Sequence, residues 1–223
     1  MSCIAQHQYI VRYLLKIDLP VIVMGVFLMF TGPDEQVFFQ RQNAKIAQDT
    51  HYFINTPISM TSQPYHIHTF DSGSLSAMAM PNTVNLQQDL QALKAGGTDK
   101  ILCLLEESEA TQLGLQQQES HTIDAGIEFQ RFPIADYGVP EFLDLQVQIT
   151  RARKDLDAGS NLLVHCRGGI GRTGLICCCL MLTTGISVPD AISVVTKQRG
   201  KQVPETPEQI DMLIRYAARN RNI

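Results

Sequence analysis

The 223-residue sequence predicts an α/β fold, a central and mostly parallel sheet flanked by helices. Three observations carry this. Strand-length apolar or alternating runs take turns with stretches of helical period from residue 65 to residue 220. Two of those runs, KILCLL at residues 100–105 and NLLVH at residues 161–165, are apolar almost throughout, as strands covered on both faces are. The second leads through a glycine-rich turn straight into an apolar helix, the connection found on the ligand side of such sheets.

The elements follow in order. Residues 65–70 and 75–80 read as two short strands around a DSGS loop. Leu86, Leu90 and Leu93 recur at helical spacing, and Gly96 and Gly97 end that helix. After the strand at 100–105 a polar helix is expected over residues 109–118, then a partly alternating strand over 127–134. Pro140 is expected to open a helix at its favoured early position. Phe142, Leu145, Ile149, Ala152 and Leu156 then form an apolar stripe, and Gly159 stops it. Beyond the strand at 161–165, helices are expected over residues 172–184, 189–199 and 206–220.

Composition narrows the class. With 44% hydrophobic and 18% charged residues the chain is globular, which excludes a disordered chain, a collagen, a coiled-coil array or a multi-span membrane protein. The net charge of −4 argues against a general nucleic-acid binder. It hides a division: residues 99–144 hold 2 basic and 10 acidic groups, net −8, whereas residues 145–223 hold 11 and 6, net +5. An anion-handling carboxyl-terminal third fits that asymmetry. Six cysteines are too few for a disulfide scaffold. Cys177, Cys178 and Cys179 are consecutive, which suits a helix in a reducing compartment, so a cytoplasmic setting is expected. Packing is the simpler role for these three; resolving an oxidised thiol is the alternative.

Residues 1–59 form an amino-terminal extension ahead of a domain over residues 60–223. Within it, residues 19–30 (LPVIVMGVFLMF) are uncharged but shorter than the roughly 20 residues that span a bilayer. Three readings stay open: a buried or interfacial helix, a membrane-targeting stretch that would give membrane contact, or an extension upstream of the true start. The last is favoured, because clean patterning begins at Met60 and no cleavage pattern follows the apolar run.

The chemistry concentrates at residues 164–174, VHCRGGIGRTG, which run from a strand through a loop into a helix. Backbone N–H groups of such a loop can converge on an anion, and the helix amino terminus adds unsatisfied donors and positive potential. Glycines at 168, 169, 171 and 174 allow close backbone approach. Arg167, Gly168, Gly169, Ile170, Gly171 and Arg172 are therefore the candidate phosphate-binding residues. Cys166 stands at the start of this cradle, where the thiolate is favoured and faces a bound phosphate as a nucleophile. The planar Arg172 fork can grip two phosphate oxygens through the transition state. The Thr173 hydroxyl is expected to donate to the Cys166 sulfur, and His165 to order the loop. His66 and His68 lack the further ligands a metal site would need.

HCRGGIGRTG resembles H-C-x5-R-[ST], the signature of the cysteine-dependent protein tyrosine phosphatase superfamily, at every fixed position. The resemblance implies a protein tyrosine phosphatase-like fold over roughly residues 65–220. It also implies a general acid on a mobile loop some 30 residues upstream of the nucleophile. FPIADYGVP at residues 132–140 fits, placing Asp136 as that acid, 30 residues before Cys166. This loop resembles the P-I-x-D-x-x-x-P form of kinase-associated phosphatase and its bacterial relatives. The family also carries Q-T-x-x-Q near its end, whose second Gln helps place the hydrolytic water. Thr206 and Gln209 match it, while Glu205 replaces the first Gln. Gln209 reads equally as a first-turn residue after a Thr206 cap. Arg199 and Lys201 close by either add to the field acting on an anionic substrate or form a solvated charge run, which is the simpler reading. The recognition loop that deepens the pocket of tyrosine-specific members is missing, so the resemblance is closest to the dual-specificity branch.

What this implies is two-step phosphomonoester hydrolysis on phosphorylated proteins or peptides by a monomer that uses no metal or other cofactor. The same chemistry on a phosphoinositide, nucleotide or RNA 5′ end is the alternative, with a non-catalytic phosphate-binding module a third reading. Lipid-phosphatase relatives typically carry two lysines in the loop, and this loop carries none.

Overall fold

The computed structural model of the chain describes residues 63–220; the amino-terminal extension, with its three readings and its division from the domain, lies outside them. The described residues form one five-stranded sheet of order β1-β2-β5-β3-β4. Its strands are β1 (Tyr65–Thr69), β2 (Ser74–Met78), β3 (Lys100–Cys103), β4 (Glu128–Arg131) and β5 (Asn161–His165). β1 pairs antiparallel with β2, and a bulge between His66 and His68 sets those two side chains out of a common register. β2, β5, β3 and β4 are all parallel, so their carboxyl ends meet at one edge. Met78 and Cys103 both pair with His165, which puts the end of β5 at the middle of that edge.

The helices are α1 (Leu86–Ala95), α2 (Glu107–Gln112), α3 (Gln118–Asp124), α4 (Phe142–Asp157), α5 (Gly171–Leu182), α6 (Val188–Arg199) and α7 (Pro207–Asn220). The polar helix expected over residues 109–118 is instead two short helices. Gly114 adopts φ +77 between them, which breaks the first, and Leu115 turns into the core. Pro140 does not open α4. Glu141 is the cap, in extended geometry, and the helix starts at Phe142, so Pro140 belongs to the preceding loop.

Hydrophobic period explains the packing. Leu145, Ile149, Ala152 and Leu156 on α4 are buried together, as their spacing demands. α5 differs: every residue from Gly171 to Met181 is buried, so it is a core helix covered all round, apolar beyond Arg172 and Thr173 of its first turn. Burying Leu175, Ile176 and Leu180 contributes about 1.5–3 kcal/mol each. Gly174 lies where an added Cβ would come within 2.6 Å of Val203 Cβ, so α5 and the segment before α7 approach through that missing side chain. At the opposite pole, buried Lys100 reaches Asp155 at 2.6 Å and Glu128 at 2.9 Å, which keeps its charge paired away from the ligand edge. No helix among the described residues is long and apolar enough to cross a membrane.

Candidate active site

β5 delivers Cys166 to the middle of the sheet's carboxyl edge, and the chain then turns through residues 166–170 into α5. The turn is held from behind by its carbonyls. Cys166 O lies 3.3 Å from His165 Nδ1, and Arg167 O accepts the Met80 N–H at 3.1 Å. Gly168 O and Gly169 O accept from Arg199 Nη2 and Nε at 2.9 and 2.7 Å. Ile170 O accepts the Gly174 N–H at 2.7 Å as the first bond of α5. In a trans peptide the N–H points opposite to the C=O, so carbonyls pinned outward leave amides aimed inward. The Gly169 N–H shows it, donating to Cys166 Sγ at 3.3 Å. Gly169 adopts φ +66, and a Cβ there would collide with the Met78 carbonyl, so only glycine lets the loop sit this close to β2.

Arg172, in the first turn of α5, is buried and forms an end-on pair with Glu109 of α2. Nη1 and Nη2 donate to Glu109 Oε2 and Oε1 at 2.6 and 2.9 Å, and Nη1 also donates to Ile134 O at 3.0 Å. Nη2 is 2.8 Å from Asp136 Oδ1, whose side chain is 47% exposed. The Arg172 guanidinium holds the Glu109 carboxyl below its ordinary value, against the cost of burial. Burial works against the Arg172 charge, but Glu109's hydrogen bonds and the surrounding negative charge outweigh it and raise its pKa.

Asp136 sits on the loop between β4 and α4. Tyr137 is at φ 59, and the Gly138 N–H closes the turn on Ala135 O at 2.9 Å. Two bonds from the start of α7 tie this loop down. Thr206 Oγ1 donates to Tyr137 O at 3.3 Å, and Gln209 Nε2 donates to Gly138 O at 3.1 Å. Gln209 is buried, and its Oε1 accepts the Glu205 and Thr206 N–H groups while Thr206 Oγ1 accepts the Gln209 N–H. That is a capping box. The Gln209 side chain thus serves as both helix cap and loop brace. Glu205 Oε2 accepts the Gly171 N–H at 2.8 Å, setting a carboxylate at the rim of the cradle.

His165 is buried between β3 and α3, with its Nε2 at 2.7 Å from Gln118 Nε2 and its Nδ1 at Cys166 O. These partners fix a neutral ring that donates through Nδ1 and accepts at Nε2. Burial pushes its pKa down to about 4. A histidine kept neutral in the fold but free to titrate near 6.5 when unfolded makes stability fall with pH. The loss begins below about pH 6.5 and levels off near pH 4, amounting to about 3 kcal/mol. Urea unfolding from pH 7.5 to pH 5 is therefore expected to show this slope, and His165→Asn to flatten it; an unchanged slope in the variant would assign it elsewhere.

The structure brings Cys166, Arg172, Asp136, Gly168, Gly169, Ile170, Gly171 and Gln209 together around one cradle, while the Arg167 side chain is exposed at its rim. Thr173 departs from expectation: its Oγ1 is buried with no hydrogen-bond partner, and the sulfur is reached by the Gly169 N–H instead. Arg199 also departs. It is buried against the loop with its guanidinium 4.3 Å over the Tyr65 ring, not solvated. Cys177, Cys178 and Cys179 are fully buried thiols whose pKa values burial raises, Cys178 to about 12, so they pack as small apolar groups. Among the described residues no group of three or more His, Cys, Asp or Glu is placed to hold a metal. Glu109 and Gln118 were not singled out from the sequence as site residues, and Arg199 was read there only for its charge. The rule that ligands bind beyond the carboxyl ends of parallel strands could have nominated Glu109, since the loop after β3 opens there.

Comparison with known proteins gives the family and supports the fold. A family described as "Swiss Army Knife protein, DSP-PTPase phosphatase domain" matches residues 68–220. Human cyclin-dependent kinase inhibitor 3 is 28% identical over 134 residues, which cover 58% of this chain and 62% of that protein. A phosphatidylinositol 3,4,5-trisphosphate 3-phosphatase of Dictyostelium discoideum is 26% identical over 152 residues, covering 66% of this chain and 22% of that protein. The match thus spans less than two thirds of either relative's length. Among solved structures, kinase associated phosphatase with its catalytic-site cysteine replaced by serine superposes with a TM-score of 0.63 at 23% identity, covering 74% of this chain and 97% of that one.

Proposed function

We propose that this chain, which belongs to the DSP-PTPase phosphatase domain family and is a phosphatase of the dual-specificity branch, acts on phosphorylated tyrosine, and on phosphorylated serine or threonine, in proteins. The observation that carries the reading is the Cys166 sulfur at the focus of inward amides, with Arg172 clamped beside it and Asp136 within reach of the same guanidinium.

The geometry supports a division of labour. Glu109 occupies the end-on edge of the guanidinium, so the Nε–Nη2 edge is the one left to grip two phosphate oxygens. The phosphate would take the place of Asp136 on Nη2 and release that carboxyl toward the leaving group. Cys166 then attacks phosphorus, the ester P–O bond breaks, and Asp136 delivers its proton to the departing oxygen. In the second step water attacks phosphorus, Asp136 takes the water's proton, and the P–S bond breaks to return the thiolate and inorganic phosphate. The amides of residues 167–170 and Arg172 hold the equatorial charge throughout, the Gly171 N–H being taken by Glu205.

Charge around the cradle favours a protein over a polyanionic lipid. Glu106 caps α2 and Glu107 begins it, Glu205 stands at the rim, and the loop's variable positions carry a single arginine. A headgroup with several phosphates meets repulsion there that a single phosphoester on a peptide escapes. The phosphoinositide reading keeps the Dictyostelium relative in its favour. Phosphate release from a panel of phosphopeptides and phosphoinositide vesicles separates them. The expected result is at least tenfold higher kcat/KM on phosphopeptides, a difference of about 1.4 kcal/mol; preference for vesicles would replace this reading with the lipid one.

A further inference from the structure

Among the described residues, Arg199 is the buried charged side chain that touches the catalytic loop yet has no part in the chemistry above. It ends α6, far in sequence from the loop. Its Nε donates to Gly169 O at 2.7 Å and its Nη2 to Gly168 O at 2.9 Å, and Tyr65 of β1 stacks on the guanidinium at 4.3 Å. These two carbonyls belong to successive peptide planes, 168–169 and 169–170. Each plane carries an amide of the cradle on its other side, and one of them is the N–H that reaches Cys166 Sγ. Gly168 and Gly169, at three of the four positions that bound these planes, have no Cβ to resist rotation, while Ile170 bounds the second plane. Among the described residues, no side chain other than Arg199 bonds to these two carbonyls.

We infer that Arg199 is a positioning residue for the phosphate site: its fork fixes both peptide planes so that the Gly169 and Ile170 amides face the oxyanion. This rests on the phosphatase reading for its consequence but not for its geometry. A guanidinium suits the task because its donors are coplanar and set at a fixed spacing, whereas a lysine offers one point charge. The Tyr65 ring holds the guanidinium in plane and adds a cation–π contact. The prediction is therefore specific to the fork and not to positive charge.

The test uses the full chain with Arg199→Met and Arg199→Lys, with p-nitrophenyl phosphate as substrate and orthovanadate as the oxyanion probe. Loss of two charge-assisted bonds is expected to weaken vanadate inhibition and lower kcat/KM together by about 10- to 100-fold, in both variants alike. Alkylation of Cys166 by iodoacetamide should change far less, since the sulfur itself stays in place. Amide hydrogen exchange at Gly169 and Ile170 reads the planes directly and should quicken in both variants. Full recovery by Arg199→Lys overturns the inference in favour of simple charge, and so does unchanged vanadate affinity in folded protein. If wild type neither turns over the substrate nor binds vanadate, the phosphatase reading fails, while quickened exchange still upholds the clamp and unchanged exchange rejects it. Should Arg199→Met fail to fold, Arg199→Lys carries every one of these measurements.

Discussion

Cys166→Ser is expected to lower turnover of p-nitrophenyl phosphate by about 10⁴-fold or more while binding of vanadate or a phosphopeptide persists. The physical reason is that serine keeps nearly the same shape but not the nucleophile. The cradle that binds the anion is built from backbone amides and Arg172, and its carbonyl anchors at His165, Met80 and Arg199 do not involve the sulfur. Binding and bond-making are thus separable in this site. Isothermal titration with a non-hydrolysable phosphopeptide gives one half and initial rates give the other. Residual turnover within tenfold of wild type would remove Cys166 from the reaction, and loss of binding along with turnover would show that the substitution had collapsed the loop.

Asp136→Asn should cost about 10²- to 10⁴-fold in kcat for alkyl-like leaving groups, and much less for p-nitrophenol, which departs without a proton. A plot of rate against leaving-group acidity should steepen in the variant; a parallel drop across the series would assign Asp136 to binding. Stability should hardly move. The Asp136 side chain is 47% exposed, and a pair open to solvent to that degree contributes on the order of 1 kcal/mol or less. The bonds from Thr206 and Gln209 to the loop backbone remain whichever side chain stands at 136. An unchanged unfolding midpoint beside a large kinetic loss would therefore identify a chemical role and not a structural one.

The elements with strong periodicity were the easiest to read. The α4 stripe, the two apolar strands and the helix after the glycine-rich turn follow from one-dimensional pattern, because burial of one face imposes its period on the sequence. The region from residue 106 to residue 125 was not so readable. Its two short helices have few buried positions each, and the chain turns at Gly114 to bury Leu115, a choice made by the core it packs on. Pro140 misled for a related reason: the loop carrying Asp136 needs it, and the helix begins after it.

The sequence by itself nominated Cys166 as candidate nucleophile, with Arg172 and the glycines of the cradle, and the family resemblance added Asp136 as candidate general acid. Those groups lie in two contiguous stretches whose spacing is set by the covalent chain, and a strand–loop–helix can make an anion nest without help from elsewhere. Only the tertiary structure decided what holds them in place. Glu109 comes from α2, Gln118 from α3 and Arg199 from α6, each brought to the end of β5 by the order of the parallel strands and the helices between them. The same folding turned Gln209 into a cap and brace and left Thr173 Oγ1 without a partner. A carboxylate or guanidinium far along the chain carries no local sign of which arginine or carbonyl it will meet. Burial then makes the meeting obligatory, since a charge taken out of water must find its complement.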